Sequence, residues 1–570
     1  MAAVPPARHA APFRVPTWVR VAGPLLALGL VGAVLISLIS NGDAPPAASA
    51  TASPSPSARS SACSLHRREL LRVWRGTKLP ASGEIQIVAA EPDYVGGGLS
   101  HAGPWDYVQE VPLLFYGPGR VPALGRVDGR ASLADIAPTN AAMLDFAFEA
   151  PDGHVLTDAI LPDGERDGPP RLLVTLVWDG AGRNVLDQWP DDWPFLAGLI
   201  DRGVWYDAAD IGSSPSNTPP MHATIGTGAF PRRHGVIDLY QQIDGQIDKP
   251  QEDGPGTLLL PTLADLYDVA MGNEPLVGVI ATLGAHTGMA GHGSLWEGGD
   301  ADLAIMREQE DASTGGDEGD AWQLTSGMVP YFEMPGYVNE VPGLERDLAT
   351  LDQEDGVLDE AWGDYPFDAL DDGFQTPART PYQTRIVEEV IRREGFGADD
   401  VPDLLYVNLK AVDSVGHIFS VNGEEMGQTL RWQDDALRDL VGFLDREVGA
   451  GEWAMTLTAD HGHQYDPAVT GALPIGITAL TTFIEDRFSA PGGPAVVRRA
   501  RPTQIWMDEQ ALAEAGHTDA DVAAALAAAT RSEMAGGAEF RGDPDALAFT
   551  AAFPTSELED LGCLPAPARD

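Results

Sequence analysis

Apolar, strand-like stretches of this chain break off repeatedly at an Asp, a His or a hydroxyl residue beside Gly or Pro, and this constrains the fold more than any other feature. Leu172–Trp178 runs into Asp179-Gly180, and Leu404 to Leu409 precedes Asp413-Ser414-Val415-Gly416-His417. The run over 454–459 leads to Asp460-His461-Gly462-His463, and a further phrase reads Ser216-Asn217-Thr218-Pro219-Pro220-Met221-His222-Ala223-Thr224. Strand ends are where an open α/β sheet builds its sites. Asp and His supply oxygen and nitrogen ligands, here in numbers that suffice for two divalent cations. Thr218 among them is a candidate nucleophile, because a coordinated hydroxyl loses its proton more easily. The residues therefore point to a two-metal hydrolase with a threonine nucleophile.

The continuous apolar run Leu172–Trp178 predicts a parallel strand buried on both faces. Further strands are expected over 84–89, 111–116, 275–281, 404–409, 454–459 and 504–507, and helices over 132–146, 192–202, 384–393, 428–448 and 519–531. This alternation predicts an α/β fold, a mostly parallel sheet sandwiched by helices. Residues 294–380 are acidic and Gly-rich and are expected to form a cap or insertion over the site. Residues 470–560 read as a small α+β subdomain.

The N-terminal region carries Arg8, Arg14 and Arg20 ahead of an uncharged, mostly apolar run over 21–39. That run is long enough to cross a hydrocarbon core of roughly 30 Å. The basic residues place 1–20 in the cytoplasm and the rest outside the membrane. The competing expectation is a secreted protein released after signal cleavage at Ala48-Ser49-Ala50. Residues 40–62 read as an Ala/Pro/Ser-rich linker, and 63–565 as the extracytoplasmic catalytic domain. Cys63 and Cys563 are the only cysteines; outside the cell they suit a disulfide, the alternative being two free thiols. A net charge of −49 argues against a nucleic-acid-binding surface, which needs basic residues for phosphate contacts, and it favours small esters over polyanions.

The order Asp, Thr-Pro-Pro-x-His-Ala-Thr, Asp-x-x-Gly-His, Asp-His-Gly resembles the alkaline phosphatase superfamily, most of all its type I phosphodiesterase/nucleotide pyrophosphatase branch. The matching phrases span about residue 84 to 465. The resemblance implies one metal held by Asp179, Thr218, Asp460 and His461, and a second held by Asp413, His417 and one further His. Zinc is the default for such ligands. In the family that last His follows the Asp-His-Gly phrase, just before a strand of the type Val-Pro-Leu-x-Phe-Tyr-Gly. Here such a segment stands near the front, as Ser100-His101-Ala102 followed by Val111-Pro112-Leu113-Leu114-Phe115-Tyr116-Gly117. This implies a circular permutation with His101 as the final ligand, and His463 is the competing candidate.

His222 and His234 are expected to be structural. The helix starting at Thr218 is expected to aim its N-terminal amides at a phosphoryl oxygen. Many relatives place an Asn three residues after the nucleophile; Met221 stands there, so either Asn217 or another donor makes that contact or the oxyanion is held more weakly. Monoesterase relatives also carry Lys and Arg in a segment that here spans 282–292 and contains neither. That absence favours a diester, pyrophosphate or phosphonate, with His286 and His292 as candidate substrate contacts. The expected function is a phosphodiesterase or nucleotide pyrophosphatase acting on a small phosphate ester or nucleotide-like substrate. Alternatives are a phosphomonoesterase or envelope phosphotransferase and, from another class, a catalytically inactive envelope binding protein.

Overall fold

The computed structural model describes residues 61–252, 254–307, 321–354, 356–559, 561, 563 and 564. The expected segments 1–20 and 21–39, and the linker up to residue 60, lie outside these residues. Among the described residues no helix is long and apolar enough to cross a membrane.

A nine-stranded sheet organises the chain. From one edge it runs Phe332–Glu333, Asp302–Ile305, Val277–Ile280, Asp403–Leu409, Leu172–Trp178, Trp453–Thr458, Leu113–Tyr116, Val204–Asp210 and Gly125–Ser132. Leu113–Tyr116 runs antiparallel to both of its neighbours, and the other pairings are parallel. The three central strands Asp403–Leu409, Leu172–Trp178 and Trp453–Thr458 are buried at every position, which is why each reads as an unbroken apolar run. Their register decides the function. Leu409 lies opposite Trp178, and Thr458 opposite Val177. The three strands thus end at one level, and Asp179, Lys410 and Asp460 emerge side by side from their carboxyl ends.

Several expected elements are trimmed by local chemistry. The helix foreseen over 132–146 is a 3-10 turn, Leu133–Asp135, followed by Ile136–Met143; Asp135 Oδ2 accepts from the Ser132 amide at 2.7 Å and opens the turn. The helix foreseen over 519–531 stops at Ala527, and Thr530 caps a separate turn, Arg531–Met534. Two strands within 294–380, Asp302–Ile305 and Phe332–Glu333, extend the main sheet.

The 470–560 segment does not build its sheet alone. Val497–Ala500, Gln504–Met507 and Phe549–Pro554 form an antiparallel four-stranded sheet with Ile85–Ala89, a strand from the other end of the chain. A Cys63–Cys563 disulfide, Cα atoms 6.0 Å apart, fastens the two ends together. Beside it Leu65, Leu70 and Val73 pack against Phe553 and Leu558.

Candidate active site

Three carboxylates meet at the ends of the central strands. Asp179 follows its strand directly, and its backbone N–H donates to the Leu409 carbonyl at 3.1 Å. Asp460 Oδ1 accepts from the Gly180 amide at 3.0 Å. Asp413 lies on the helix Ala411–Phe419, one turn beyond its strand. Gly180 sits at φ +74°, and a Cβ there would lie 2.8 Å from the Asp413 Cα. The glycine after Asp179 thus permits both a left-handed turn and the approach of the Asp413 helix.

Lys410 reaches into this group. Its Nζ donates to Asp179 Oδ1 at 2.7 Å and to Thr218 Oγ1 at 3.3 Å, and pairs with Asp413 Oδ2 at 2.8 Å. Burial works against its charge, but Asp179, Asp413 and Asp460 together hold the ammonium protonated above its ordinary range. Burial likewise opposes ionisation of Asp179 and Asp413, yet Lys410 draws both below the usual carboxylate range. Asp460 goes the other way, raised by burial and then by the charge of Asp179. One ammonium cannot neutralise three buried carboxylates.

Four imidazoles surround Asp413. Its Oδ1 lies 3.1 Å from His463 Nε2, 3.5 Å from His417 Nε2, 3.6 Å from His101 Nε2 and 3.8 Å from His461 Nε2. His101 Nδ1 donates to the Ser216 carbonyl at 2.8 Å, and His461 Nδ1 to the Gly462 carbonyl at 3.0 Å. These bonds fix tautomers that leave each Nε2 lone pair available, the arrangement a metal ligand needs. The His101 and His461 rings stack with centroids 3.6 Å apart, and burial pushes both toward the neutral form. Asp460 Oδ2 and His461 Nε2 lie 3.2 Å apart, yet each is buried without a hydrogen-bond partner. Bare acceptor atoms beside excess negative charge fit divalent cations. His101, Asp413, His417 and His463 form one group able to hold an ion, and Asp179, Asp413 and His461 another. Both candidates for the last histidine, His101 and His463, therefore stand at the same centre.

Thr218 opens the fully buried helix Thr218–Thr227, with Asn217 at the N-cap and Gly228 closing it in the left-handed region. Its hydroxyl faces a cavity of about 320 Å³ lined by His101, Asn217, Lys410, Asp413, His417 and Arg501, among others. The helix terminus is less generous than expected. Pro219 and Pro220 carry no N–H, and the Met221 amide bonds to the Asn217 carbonyl, so Thr218 alone keeps a free amide at this end. The Asn217 side chain lines the cavity, but its Nδ2 donates to Asp238 Oδ1 at 2.5 Å. Asp238 Oδ2 in turn accepts from Gln504 at 2.7 Å, which ties the residue before the nucleophile to the small sheet.

Four further histidines, His222, His234, His286 and His292, stand near the nucleophile helix or the turn behind it. His222 donates from Nδ1 to the Thr218 carbonyl and accepts at Nε2 from Asn408, so it has no lone pair left. His234 bonds Thr224 Oγ1 and the Val236 amide. His286 and His292, the candidate substrate contacts, do not line that cavity. His286 is fully buried behind Asp179, its Nε2 3.4 Å from Asp179 Oδ2, and His292 bridges Asp265 and the Leu258 carbonyl. The 284–289 turn packs directly on the Thr218 helix: a Cβ on Gly226 would lie 2.4 Å from the Gly288 carbonyl oxygen. That turn supports the nucleophile from behind. Residues 282–292 supply no Lys or Arg, but two protein cations reach the cavity from elsewhere. Lys410 enters from the central sheet and Arg501 from the turn between Val497–Ala500 and Gln504–Met507, its Nε buried without a partner.

The sequence profile of the type I phosphodiesterase/nucleotide pyrophosphatase family matches residues 173–538. Alkaline phosphatase PafA of Elizabethkingia meningoseptica is 30% identical over 147 residues, 24% of this chain and 26% of the relative. A calcium-transporting ATPase of Myroides odoratus is 23% identical over 340 residues, 52% of this chain and 61% of the relative. Alkaline phosphatase PhoD of Zymomonas mobilis is 24% identical over 324 residues, 52% of this chain and 54% of the relative. The chain thus spans between about a quarter and three-fifths of the length of these curated relatives. Among solved structures, wild-type PafA aligns with a TM-score of 0.47 at 19% identity, covering 63% of this chain and 76% of that one.

Proposed function

Because the chain belongs to the type I phosphodiesterase/nucleotide pyrophosphatase family, we propose that it is a metal-dependent phosphoric ester hydrolase whose nucleophile is Thr218. The observation that carries this reading is that Lys410 Nζ joins Thr218 Oγ1 to Asp179 and Asp413, in a centre that also holds Asp460 and the partnerless His461 Nε2. Asp179, Thr218, Asp460 and His461 would hold one divalent cation, and Asp413, His417 and His101 or His463 the other, with zinc suited to these ligands. When bound, such cations lower the pKa of a coordinated hydroxyl and stabilise charge on the departing oxygen.

The chain's own residues do the rest. Thr218 Oγ1 gives up its proton to solvent and forms a bond to phosphorus as the bond to the ester oxygen breaks, and that oxygen leaves with a proton from solvent. Water then attacks the phosphorylated threonine, one of its protons returning to Thr218 Oγ1, and releases phosphate from a monoester or a phosphate monoester from a diester. Asn408 donates to Asp179 Oδ2 at 2.8 Å and keeps that carboxylate aimed at the centre.

The family's name puts diesters and pyrophosphates first among substrates, and the alkaline phosphatases among the relatives put monoesters second. Turnover of bis- and mono-p-nitrophenyl phosphate ranks the two. Thr218→Ala should lower both by on the order of a thousandfold or more while the protein stays folded; a variant that keeps its activity contradicts the proposal. Circular permutation is supported by His101 reaching Asp413 from a segment that lies ahead of the family match. The disulfide between the chain's ends supports export to an oxidising compartment.

A further inference from the structure

The helix end beside the nucleophile offers few donors to phosphoryl oxygens. Pro219 and Pro220 remove two amides there, one of the two Asn217 side-chain N–H groups is engaged by Asp238, and 282–292 has no Lys or Arg, so the cations at the cavity are Lys410 and Arg501. Lys410 is the cation that lines the same cavity and touches the nucleophile. An ammonium has three donors, here directed at Asp179, Asp413 and Thr218. Two of these acceptors are carboxylates of the candidate metal centre, and were cations to bind those carboxylates, two donors would be available to a ligand in the cavity.

We propose that Lys410 is a catalytic residue that binds the non-bridging oxygens of the phosphoryl group under attack at Thr218, and that it thereby fits the site to a terminal phosphate monoester. The inference rests on the hydrolase reading above and names its substrate class. A monoester presents a dianion with three non-bridging oxygens beside the nucleophile; a diester presents a monoanion with two. The same ammonium therefore acts more strongly on the monoester. Lys410 stands one residue past the end of its strand, at the level of Asp179 and Asp460, so the sheet itself fixes where its stem begins.

The test is Lys410→Met in metal-replete protein, read by metal content, by calorimetric titration with inorganic phosphate, and by kcat/KM for the two p-nitrophenyl esters. The expected result is undiminished metal, phosphate affinity lower by at least about tenfold, and monoester kcat/KM lower by about 100–1000-fold, as for loss of one charge-stabilising donor. Diester turnover should fall by no more than about tenfold, since it presents less charge to the lost cation. Unchanged phosphate affinity overturns the proposal. So does loss of metal with an equal fall on both esters, which would make Lys410 structural. If Lys410→Met does not fold, Lys410→Gln, which keeps a donor without the charge, decides by the same phosphate titration. If the wild type hydrolyses neither ester, the hydrolase reading fails, and the phosphate titration still decides the role of Lys410.

Discussion

Gly416 offers the sharpest test of how the helix Ala411–Phe419 meets the loop after Trp453–Thr458. A Cβ built on Gly416 would lie 2.5 Å from His463 Cδ2, 2.6 Å from Nε2 and 2.7 Å from Cγ. Ring and methyl must then separate by about 1 Å to reach ordinary contact. His463 is fully buried, and its Nε2 stands 3.1 Å from Asp413 Oδ1, so it cannot yield without opening that contact. If the helix yields instead, it carries away both Asp413 and His417, which lie on one face at i and i+4. Overpacking of this kind costs about 1–3 kcal/mol, and a displacement near 1 Å at a reacting centre costs about a hundredfold in rate. We expect Gly416→Ala to weaken metal binding by about 10–100-fold, measured by chelator competition, and to lower kcat/KM by on the order of a hundredfold. Metal affinity within about twofold of wild type, with unchanged thermal stability, would refute the packing argument.

Other consequences follow from the same geometry. Chelation should lower the melting temperature, and added divalent metal should restore it, because three buried carboxylates are left with one lysine; scanning fluorimetry with and without chelator reads this. Cys563→Ser should lower the melting temperature by several degrees, and reductant should do the same to the wild type. The closure spans 500 residues, for which the chain-entropy relation gives about 6 kcal/mol, while disulfide removals typically measure about 2–5. Burial depresses His234 to about 3, below its ordinary value. Between that value and about 6.5 the unfolded chain binds the extra proton, so this contribution is complete above pH 6.5 and lost toward pH 3, at about 1.4 kcal/mol per unit. Replacing His234 with Gln should flatten the acid side of a melting-temperature profile; an unchanged slope would show that His234 is not held neutral.

Much of the site was legible because buried parallel strands write themselves as apolar runs, and their ends can be read off directly. Asp179, Asp413 and Asp460 follow from that rule alone. Lys410 obeys it too, standing first after Leu409, but a lone lysine there carries no ligand pattern of its own beside the Asp-x-x-Gly-His phrase that starts three residues on. Arg501 carries no such signal: its place at the cavity depends on Ile85–Ala89 pairing with Gln504–Met507 across more than four hundred residues, a long-range pairing that no local pattern encodes. The place of His286 and His292 stayed open in the sequence because a Gly-rich segment reads as an open loop, whereas Gly226 and Gly288 serve close packing against the nucleophile helix. A Cys63–Cys563 pair was one of two readings the count of two cysteines left open, and the structure pairs them.

The central claim is that Thr218 carries the phosphoryl group during turnover. Acid quenching of the metal-replete enzyme at work on p-nitrophenyl phosphate, followed by mass mapping of its peptides, tests that claim directly. The account predicts phosphate on Thr218 of the Ser216–Thr224 phrase; a peptide that stays unmodified through turnover, or phosphate found on another residue, would contradict it.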